Sequence, residues 1–253
     1  MILGNGRPNG HTTPCAQCPL RRCSALRAFT PEELAFVQTL KTDELRVDPG
    51  ISFLREGAGS DYLYTVLHGW AFRYKMLPDG RRQILNYALP ADLVGLQGSL
   101  MHEMEHSVEA LTPLTLCVFP RAKLWELYSK LPTLAFDITW LAAREEQLID
   151  EALLSVGRRT ALERTAYVLL HLFVRAKEVG LANGGNSIQF PFTQQHLADT
   201  LGMSLVHTNK TLKRLTASNA VRWKDRMFEI VDLAALERIA GDDGGQHRAR
   251  PFI

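Results

Sequence analysis

The sequence lacks a long apolar run. No stretch reaches the roughly 18 apolar residues that a membrane span requires, and the opening MILGNGRPNGHTT has neither the basic start nor the apolar core of a secretory signal. We therefore expect a cytoplasmic protein that does not bind membranes. The chain also lacks the Ser-His-acid, paired-carboxylate and Gly-rich phosphate-binding patterns. These absences argue against an enzyme or a small-molecule binding module.

Cysteine is scarce, and its four positions are uneven. Cys15, Cys18 and Cys23 lie within nine residues, whereas Cys117 stands alone in a strand-like segment. Cytoplasmic proteins seldom use cysteine for structural disulfides, which points to metal binding, redox chemistry or plain burial. A C-x2-C step lets two thiolates from one turn reach one metal centre, and a third thiolate from the next turn can join them.

Three arginines, at positions 21, 22 and 27, flank the clustered cysteines. We expect them to lower the thiol pKa values and to offset the negative charge of a tetrathiolate site. The alternative is that Cys23 and Cys117 are small buried apolar side chains. The cysteines by themselves leave an iron-sulfur site, a zinc site and unliganded thiols open.

Charge is distributed unevenly, although the net charge is only +2. Residues 158–253 carry 14 basic and 9 acidic side chains, whereas residues 1–157 carry 15 and 18. An apolar content of 46% over 253 residues is sufficient for two domains with real cores. The second half of the chain is therefore the better candidate for contact with a polyanion.

Residues 44–119 show the period of strands, and Gly- and Pro-rich turns separate them. The predicted strands are 45–47, 51–54, 62–67, 70–77, 83–88, 107–110 and 114–119. Such a series is typical of a small antiparallel barrel or jelly roll. Trp70, Phe72 and Tyr74 alternate along one strand, and we expect them in the core. Thr30 and Glu33 form a capping pattern for a short helix over 30–40, and residues 1–13 are predicted to be disordered.

Residues 133–156 predict the longest helix, with two neighbouring apolar stripes. The first stripe consists of Leu134, Ile138, Leu141, Glu145, Leu148 and Ala152. The second consists of Ala142, Glu146, Ile149, Leu153 and Val156. One stripe can pack on the barrel while the other pairs with a second copy of the helix. We predict the second stripe as the dimer interface, weakened by its glutamate, and expect a helix break at 157–160.

Residues 193–214 predict a helix-turn-helix. Thr193 can cap the first helix, Gly202 supplies the permissive backbone that ends it, and Ser204 caps the second helix at once. The small Ala198 lies where the two helices must cross closely. The positions of the second helix that we predict to contact DNA are Ser204, Val206, His207, Asn209, Lys210, Lys213 and Arg214. Among these, Asn209 can hydrogen-bond to the edge of an adenine, and Lys210 can donate to O6 and N7 of a guanine.

A β-hairpin follows, with strands near 221–224 and 227–231 and a tight turn at Asp225 and Arg226. Six basic residues and one acidic residue lie between Ser204 and Arg226. Lys224 and Arg226 on this wing suit backbone phosphates. Helix, wing and charge together favour a DNA-binding domain.

The order of these parts resembles the Crp/Fnr superfamily of bacterial transcription regulators over about residues 15–240. The matching motifs are ADLVG at 91–95, GRRTALER at 157–164, and Leu197-Ala198 with Gly202. The cysteines are most similar to those of the iron-sulfur, oxygen-sensing fumarate and nitrate reduction regulator type. That resemblance implies a [4Fe-4S] cluster held by Cys15, Cys18, Cys23 and Cys117 that senses oxygen or nitric oxide.

The resemblance also implies an α+β fold with a cyclic-nucleotide-binding-like β-roll (jelly roll), a long dimerisation helix and a C-terminal winged helix-turn-helix. We divide the chain into a cysteine segment (1–29), a β-roll sensor domain (30–131), a dimerisation helix (132–156), a DNA-binding domain (157–240) and a disordered tail (241–253). The implied partners are a second copy, double-stranded DNA with an inverted-repeat operator, and RNA polymerase.

Cyclic AMP is not expected as a ligand. The cyclic AMP-binding members use a Gly-Glu pair for the ribose and an Arg-Ser pair for the phosphate. The corresponding positions here are Ala91-Asp92 and His106-Ser107. Without the arginine, a buried phosphate has no bidentate partner. A regulator without a cluster, controlled by another ligand or by its abundance, is the alternative hypothesis.

Overall fold

The computed structural model describes residues 7–8, 12–182, 185–242 and 249–253. The helices are α1 (Pro31–Leu40), α2 (Leu96–Leu100), α3 (Leu124–Lys130), α4 (Pro132–Arg158), α5 (Ala161–Glu178), α6 (Gln194–Leu201), α7 (Leu205–Ala217) and α8 (Leu233–Ala240). The strands are β1 (Arg7–Pro8), β2 (Asp43–Val47), β3 (Ser52–Leu54), β4 (Tyr62–His68), β5 (Ala71–Met76), β6 (Arg82–Ala88), β7 (Leu93–Val94), β8 (Ser107–Ala110), β9 (Leu114–Pro120), β10 (Ser187–Gln189), β11 (Val221–Lys224) and β12 (Met227–Ile230).

Two antiparallel sheets form the predicted β-roll. One sheet has the strand order β1-β2-β9-β4-β7, and the other has the order β3-β8-β5-β6. Buried apolar side chains such as Val66, Val108 and Leu116 fill the space between the sheets. All seven predicted strands are present within two residues at each end, while the short β1 and β7 were not predicted.

Helix α4 is longer than predicted, since it continues through Gly157 to Arg158. The chain leaves the helix at Arg159, and Thr160 then caps α5 by accepting a hydrogen bond from the Glu163 N–H. Gly157 itself is helical, and the break predicted at 157–160 occurs at residues 159–160. None of the helices in the described ranges has the length and apolar character of a membrane span.

The core of the predicted DNA-binding domain extends onto one face of the predicted sensor domain. Trp70 and Phe72 are buried as predicted, yet they pack with the second domain instead of filling the β-roll. Trp70 meets Phe190 edge-to-face at 6.1 Å between ring centres, and Tyr87 lies 5.2 Å from Phe192. The two domains are thus joined by an aromatic interface along β5 and β6.

The prediction of disorder is wrong for part of each terminal segment, because residues near both ends of the chain make defined contacts. Residues 7–8 pair with 45–46 of β2 as strand β1, and the Thr13 N–H donates to Glu44 at 2.7 Å. At the other end, Phe252 and Ile253 are 4% and 6% exposed and belong to the core around the cysteines. Residues 1–6, 9–11 and 243–248 of the predicted disordered segments lie outside the described residues.

Candidate functional site

The predicted helix-turn-helix is formed by α6 and α7. The Thr193 hydroxyl accepts from the His196 N–H at 3.2 Å, and the Ser204 hydroxyl accepts from the His207 N–H at 3.2 Å. Gly202 ends α6 with φ +62°, a conformation that L side chains adopt only with strain. Ala198 is fully buried, as a close helix crossing requires.

Helix α7 has one buried face and one exposed face. Thr208, Thr211, Leu212 and Leu215 are buried, and the two threonine hydroxyls donate to backbone carbonyls one turn earlier. The exposed residues among the predicted DNA contacts are Ser204, Val206, His207, Lys210, Lys213 and Arg214. The sequence therefore placed most of the polar face correctly.

Asn209 departs from this pattern. Its side chain is half-buried, and its amide oxygen is buried with no hydrogen-bond partner. Asn209 is thus less exposed than the other predicted contacts on α7, and its role in DNA binding stays a prediction. An unpartnered buried amide oxygen is costly, so a rotation of this side chain toward a donor would be favourable.

The wing places two predicted phosphate contacts at its tip. Asp225 and Arg226 have φ of +50° and +66°, as a tight two-residue hairpin turn requires. Lys224 and Arg226 are exposed. Arg222 lies on the same strand but donates to Glu229 at 2.6 Å, so part of its charge is already neutralised.

The four cysteines all belong to one hydrophobic cluster, together with residues of α1, α3 and α4. Cys15 and Cys117 are buried, while Cys18 and Cys23 are half-buried, and no disulfide links any of them. Cys117 lies in β9, paired across the sheet with Glu44 and Thr65. The tertiary structure thus brings Cys117 to the cysteine segment across about 100 residues of sequence.

The thiol pKa values are shifted opposite to the prediction. Burial raises the pKa of Cys15, Cys18 and Cys23, and it raises the pKa of Cys117 to about 12. Thiolates of this group would also repel one another, since the charges of Cys15 and Cys18 contribute to the shift of Cys117. Desolvation of the charged form outweighs the neighbouring cations.

Arg21, as expected, lowers the pKa of Cys18, and Arg250 lowers that of Cys23, both against the effect of burial. Lys41, which was not selected from the sequence, also faces this site. Its side chain is 3% exposed, and its ammonium donates to the Glu44 carboxylate at 2.7 Å and to the Thr13 carbonyl at 2.8 Å. Its charge lowers the pKa of Cys15 and of Cys117 against the effect of burial. Arg27, which we expected here, instead forms ion pairs with Glu33 and Asp137.

Within the ranges that the structure describes, no three His, Cys, Asp or Glu side chains surround a common point as ligands of one metal ion. A [4Fe-4S] cluster has a different requirement, because each of its four irons takes one thiolate. The four cysteines lie in one hydrophobic region of the sensor domain, so the residue types of that donor set occur together there.

The two stripes of α4 lie in different environments. Leu134, Ile138 and Leu141 of the first stripe are buried on the sensor domain, and Glu145 forms an ion pair with Arg73 of β5. The second stripe, predicted as the dimer interface, is exposed in the single chain at all five positions, which are Ala142, Glu146, Ile149, Leu153 and Val156.

A cavity of about 570 Å³ lies between α4 and the sensor domain. Asp92 and His106, at the positions compared with cyclic AMP-binding members, both line it. Asp92 accepts from Arg175 and Arg250 at 2.8 Å each. Burial, with a smaller contribution from the Arg73 and Lys75 charges, lowers the pKa of His106 to about 4, so this imidazole is neutral at pH 7.

Comparison with known proteins identifies the same two domains that the structure shows. The model of the cyclic nucleotide-binding domain matches residues 44–130, and that of the Crp-like helix-turn-helix domain matches residues 163–239. The chain is 30% identical over 233 residues to the nitrogen fixation regulation protein FixK of Bradyrhizobium diazoefficiens, covering 92% of this chain and 95% of FixK. This chain belongs to the Crp/Fnr family of transcription regulators.

Other similarities extend over the same length. The transcriptional activator protein FnrL of Cereibacter sphaeroides is 29% identical over 232 residues, which cover 90% of this chain and 92% of FnrL. The solved structure of FixK2 from Bradyrhizobium japonicum has a TM-score of 0.71 at 24% identity, covering 80% of this chain and 98% of that one, and supports the fold. As a Crp/Fnr member, the chain is a DNA-binding transcription regulator and not an enzyme.

Proposed function

We propose that this Crp/Fnr regulator is a homodimer that binds an inverted-repeat operator and senses oxygen or nitric oxide through a [4Fe-4S] cluster. Cys15, Cys18, Cys23 and Cys117 would hold the cluster. The observation that carries the proposal is the meeting of Cys117 with the three clustered cysteines in one apolar region. RNA polymerase is the proposed partner once the operator is bound.

The residues present fit such a cluster chemically. Four cysteines form the ligand set that [4Fe-4S] clusters use, and the apolar surroundings limit access of solvent. The Lys41 ammonium, held beside Cys15 and Cys117, offsets negative charge from thiolates. When bound, the cluster would supply an iron-sulfide centre that reacts with oxygen or nitric oxide, while this chain contributes the thiolates and the charge balance.

The same burial favours a second candidate, a regulator without a cluster. Buried thiols with raised pKa values are neutral and unreactive unless a metal displaces their protons. Purification under strict anaerobic conditions distinguishes the two. Brown protein with about four irons and four sulfides per chain supports the cluster. Colourless protein with zinc, or with neither metal, contradicts it and favours the second candidate.

Dimerisation and operator geometry are supported by the exposed apolar stripe of α4 and by the exposed face of α7. Two copies related by a two-fold axis would present their α7 helices to half-sites about 10 bp apart, centre to centre. Selection from a random duplex library followed by footprinting tests this. A single unrepeated half-site protected by a monomer would contradict the proposal.

Cyclic AMP is not the proposed signal. Asp92 already binds two arginine side chains, and His106 is neutral at pH 7 where an arginine is needed for a cyclic phosphate. Isothermal titration with cyclic AMP is expected to show no binding at micromolar concentrations. Saturable binding there would make the nucleotide the signal.

A further inference from the structure

We propose that residues 249–253, here called the strap, mechanically connect the cysteine segment to the DNA-binding domain, with Arg250 as the positioning residue. This connection depends on DNA binding and on an ordered cysteine segment, and not on which metal the thiols hold. It assigns a role to a segment that the sequence predicts to be disordered.

One side of the strap is fixed to the residues that follow Cys23. The Arg250 N–H donates to the Ala25 carbonyl at 2.9 Å, and the Arg27 N–H donates to the Arg250 carbonyl at 2.8 Å. These two bonds form a parallel β-bridge between Leu26 and Arg250. A single β-bridge with two backbone hydrogen bonds therefore holds the strap against the cysteine segment.

Two apolar residues anchor the strap in the same core as the cysteines. The Phe252 ring lies 4.7 Å from the ring of Phe29, and Ile253 is buried beside it. The Thr65 hydroxyl donates to the Ile253 carbonyl, and Thr65 is paired with Cys117 across the β4–β9 ladder. A displacement of the cysteine segment or of β9 would thus disturb the contacts that Phe252 and Ile253 make with this core.

The other side of the strap reaches the DNA-binding domain through Asp92. The Arg250 guanidinium binds one Asp92 oxygen at 2.8 Å and the Pro90 carbonyl at 3.1 Å. The second Asp92 oxygen accepts from Arg175 of α5 at 2.8 Å and from the Leu89 N–H at 2.7 Å. Burial alone would raise the pKa of Asp92, but the charges of Arg250 and Arg175 outweigh it and lower the pKa.

Loss of Arg250 leaves the buried Asp92 carboxylate with one oxygen unpaired. A carboxylate that is less well held positions the Arg175 guanidinium less firmly. Arg175 also binds the Asn86 side chain and the Tyr87 carbonyl, so it is a main polar link between α5 and β6. A docked strap therefore helps to fix the position of α5, and with it the orientation in which the DNA-binding domain presents α7 to DNA. Release of the strap adds an ordering cost to DNA binding.

The first test is hydrogen exchange of the full chain as isolated. Arg250→Ala is expected to speed amide exchange about tenfold both at residues 25–29 and in α5 around Arg175. Arg238→Ala, a matched loss of an exposed arginine on α8, is the control and should match the wild type. Arg250→Lys, which keeps the charge but not the forked contact, should restore part of the protection. Faster exchange confined to 249–253 would overturn the proposal.

The second test is a double-mutant cycle for DNA affinity, using a duplex that the wild-type protein selects from a random library. Phe29→Ala and Arg250→Ala disturb opposite ends of the strap, and each should weaken binding about tenfold. If the strap is the common route, the double variant should bind no more weakly than either single variant. Additive losses, or single variants that bind like the wild type, would refute the connection. Neither result depends on iron content, which tests the cluster separately.

Discussion

The predicted DNA-contacting face of α7 and the proposed cysteine site are built in opposite ways. Lys210, Lys213 and Arg214 are exposed on one helix, with their contacts left for a partner, whereas Cys15 and Cys117 are buried and come from distant segments. Exposed charged side chains act nearly independently, because solvent screens them. Buried groups depend on each other, so we expect graded effects at the first site and all-or-none effects at the second.

The largest effect is expected at Cys117. Cys117→Ala should abolish the anaerobic chromophore and the oxygen response together, because the sequence has no fifth cysteine to replace this ligand. Visible absorption, iron content and operator binding with and without oxygen measure this. Thr115→Ser on the same strand is the control and should retain the chromophore. A partial loss of cluster in Cys117→Ala would break the contrast between the two sites.

The proposed dimer interface on α4 lies between these extremes, since it is largely apolar but exposed in the single chain. Ile149→Glu places a charge beside Glu146 in the proposed interface and should shift the protein to monomer, as sedimentation velocity would show. Leu154→Glu, on a neighbouring face of α4, is the matched control. Dissociation by Leu154→Glu with an intact Ile149→Glu dimer would place the interface on the other face.

The sensor domain should also respond to acid through His106. Its pKa of about 4 lies below the ordinary value near 6.5, so the unfolded chain binds this proton first as pH falls. The free energy of unfolding should therefore decrease between pH 6.5 and pH 4, by about 3 kcal/mol from this group.

Chemical denaturation of wild type and His106→Gln across that range measures the contribution as a difference. The variant should lose stability less steeply on acidification than the wild type. His68→Gln, at an exposed position of β4, is the control. Equal pH slopes in all three proteins would show that His106 is not held neutral by burial.

Smaller and graded effects are expected on α7. Lys210→Ala should cost about 1–3 kcal/mol on the selected operator and relax the preference at one or two base pairs of each half-site. Titrations against a randomised operator library measure both quantities. If the affinity falls equally for all sequences, Lys210 contacts phosphate and does not read bases.

The smallest effect is expected on the wing. Lys224→Ala should weaken binding to all sequences alike and reduce the slope of log affinity against log salt by about one. A salt series on operator and non-operator duplexes measures this. A change of base preference in Lys224→Ala would make the wing part of the sequence readout.

Local sequence patterns determined most of the secondary structure of this protein. Thr193, Gly202 and Ser204 specify helix caps and a turn through interactions within a few residues, so the sequence predicted α6, the turn and α7 directly. The alternation in the β-roll and the Asp225-Arg226 turn are local in the same sense. The exposed face of α7 followed from helical periodicity, and among the predicted contacts on this helix Asn209 is half-buried, with a buried amide oxygen.

Only the tertiary structure decided which distant groups meet. Burial of the thiols reversed the predicted direction of their pKa shifts, because desolvation depends on everything that surrounds a group and not on its sequence neighbours. Lys41 faces the cysteines, and Arg27 does not, for the same reason. Residues 249–253 form a short segment after a polar, Gly-rich stretch, which is why the sequence predicts disorder there. Contacts with Phe29, Thr65 and Asp92, all more than 150 residues away in the sequence, hold this segment in place.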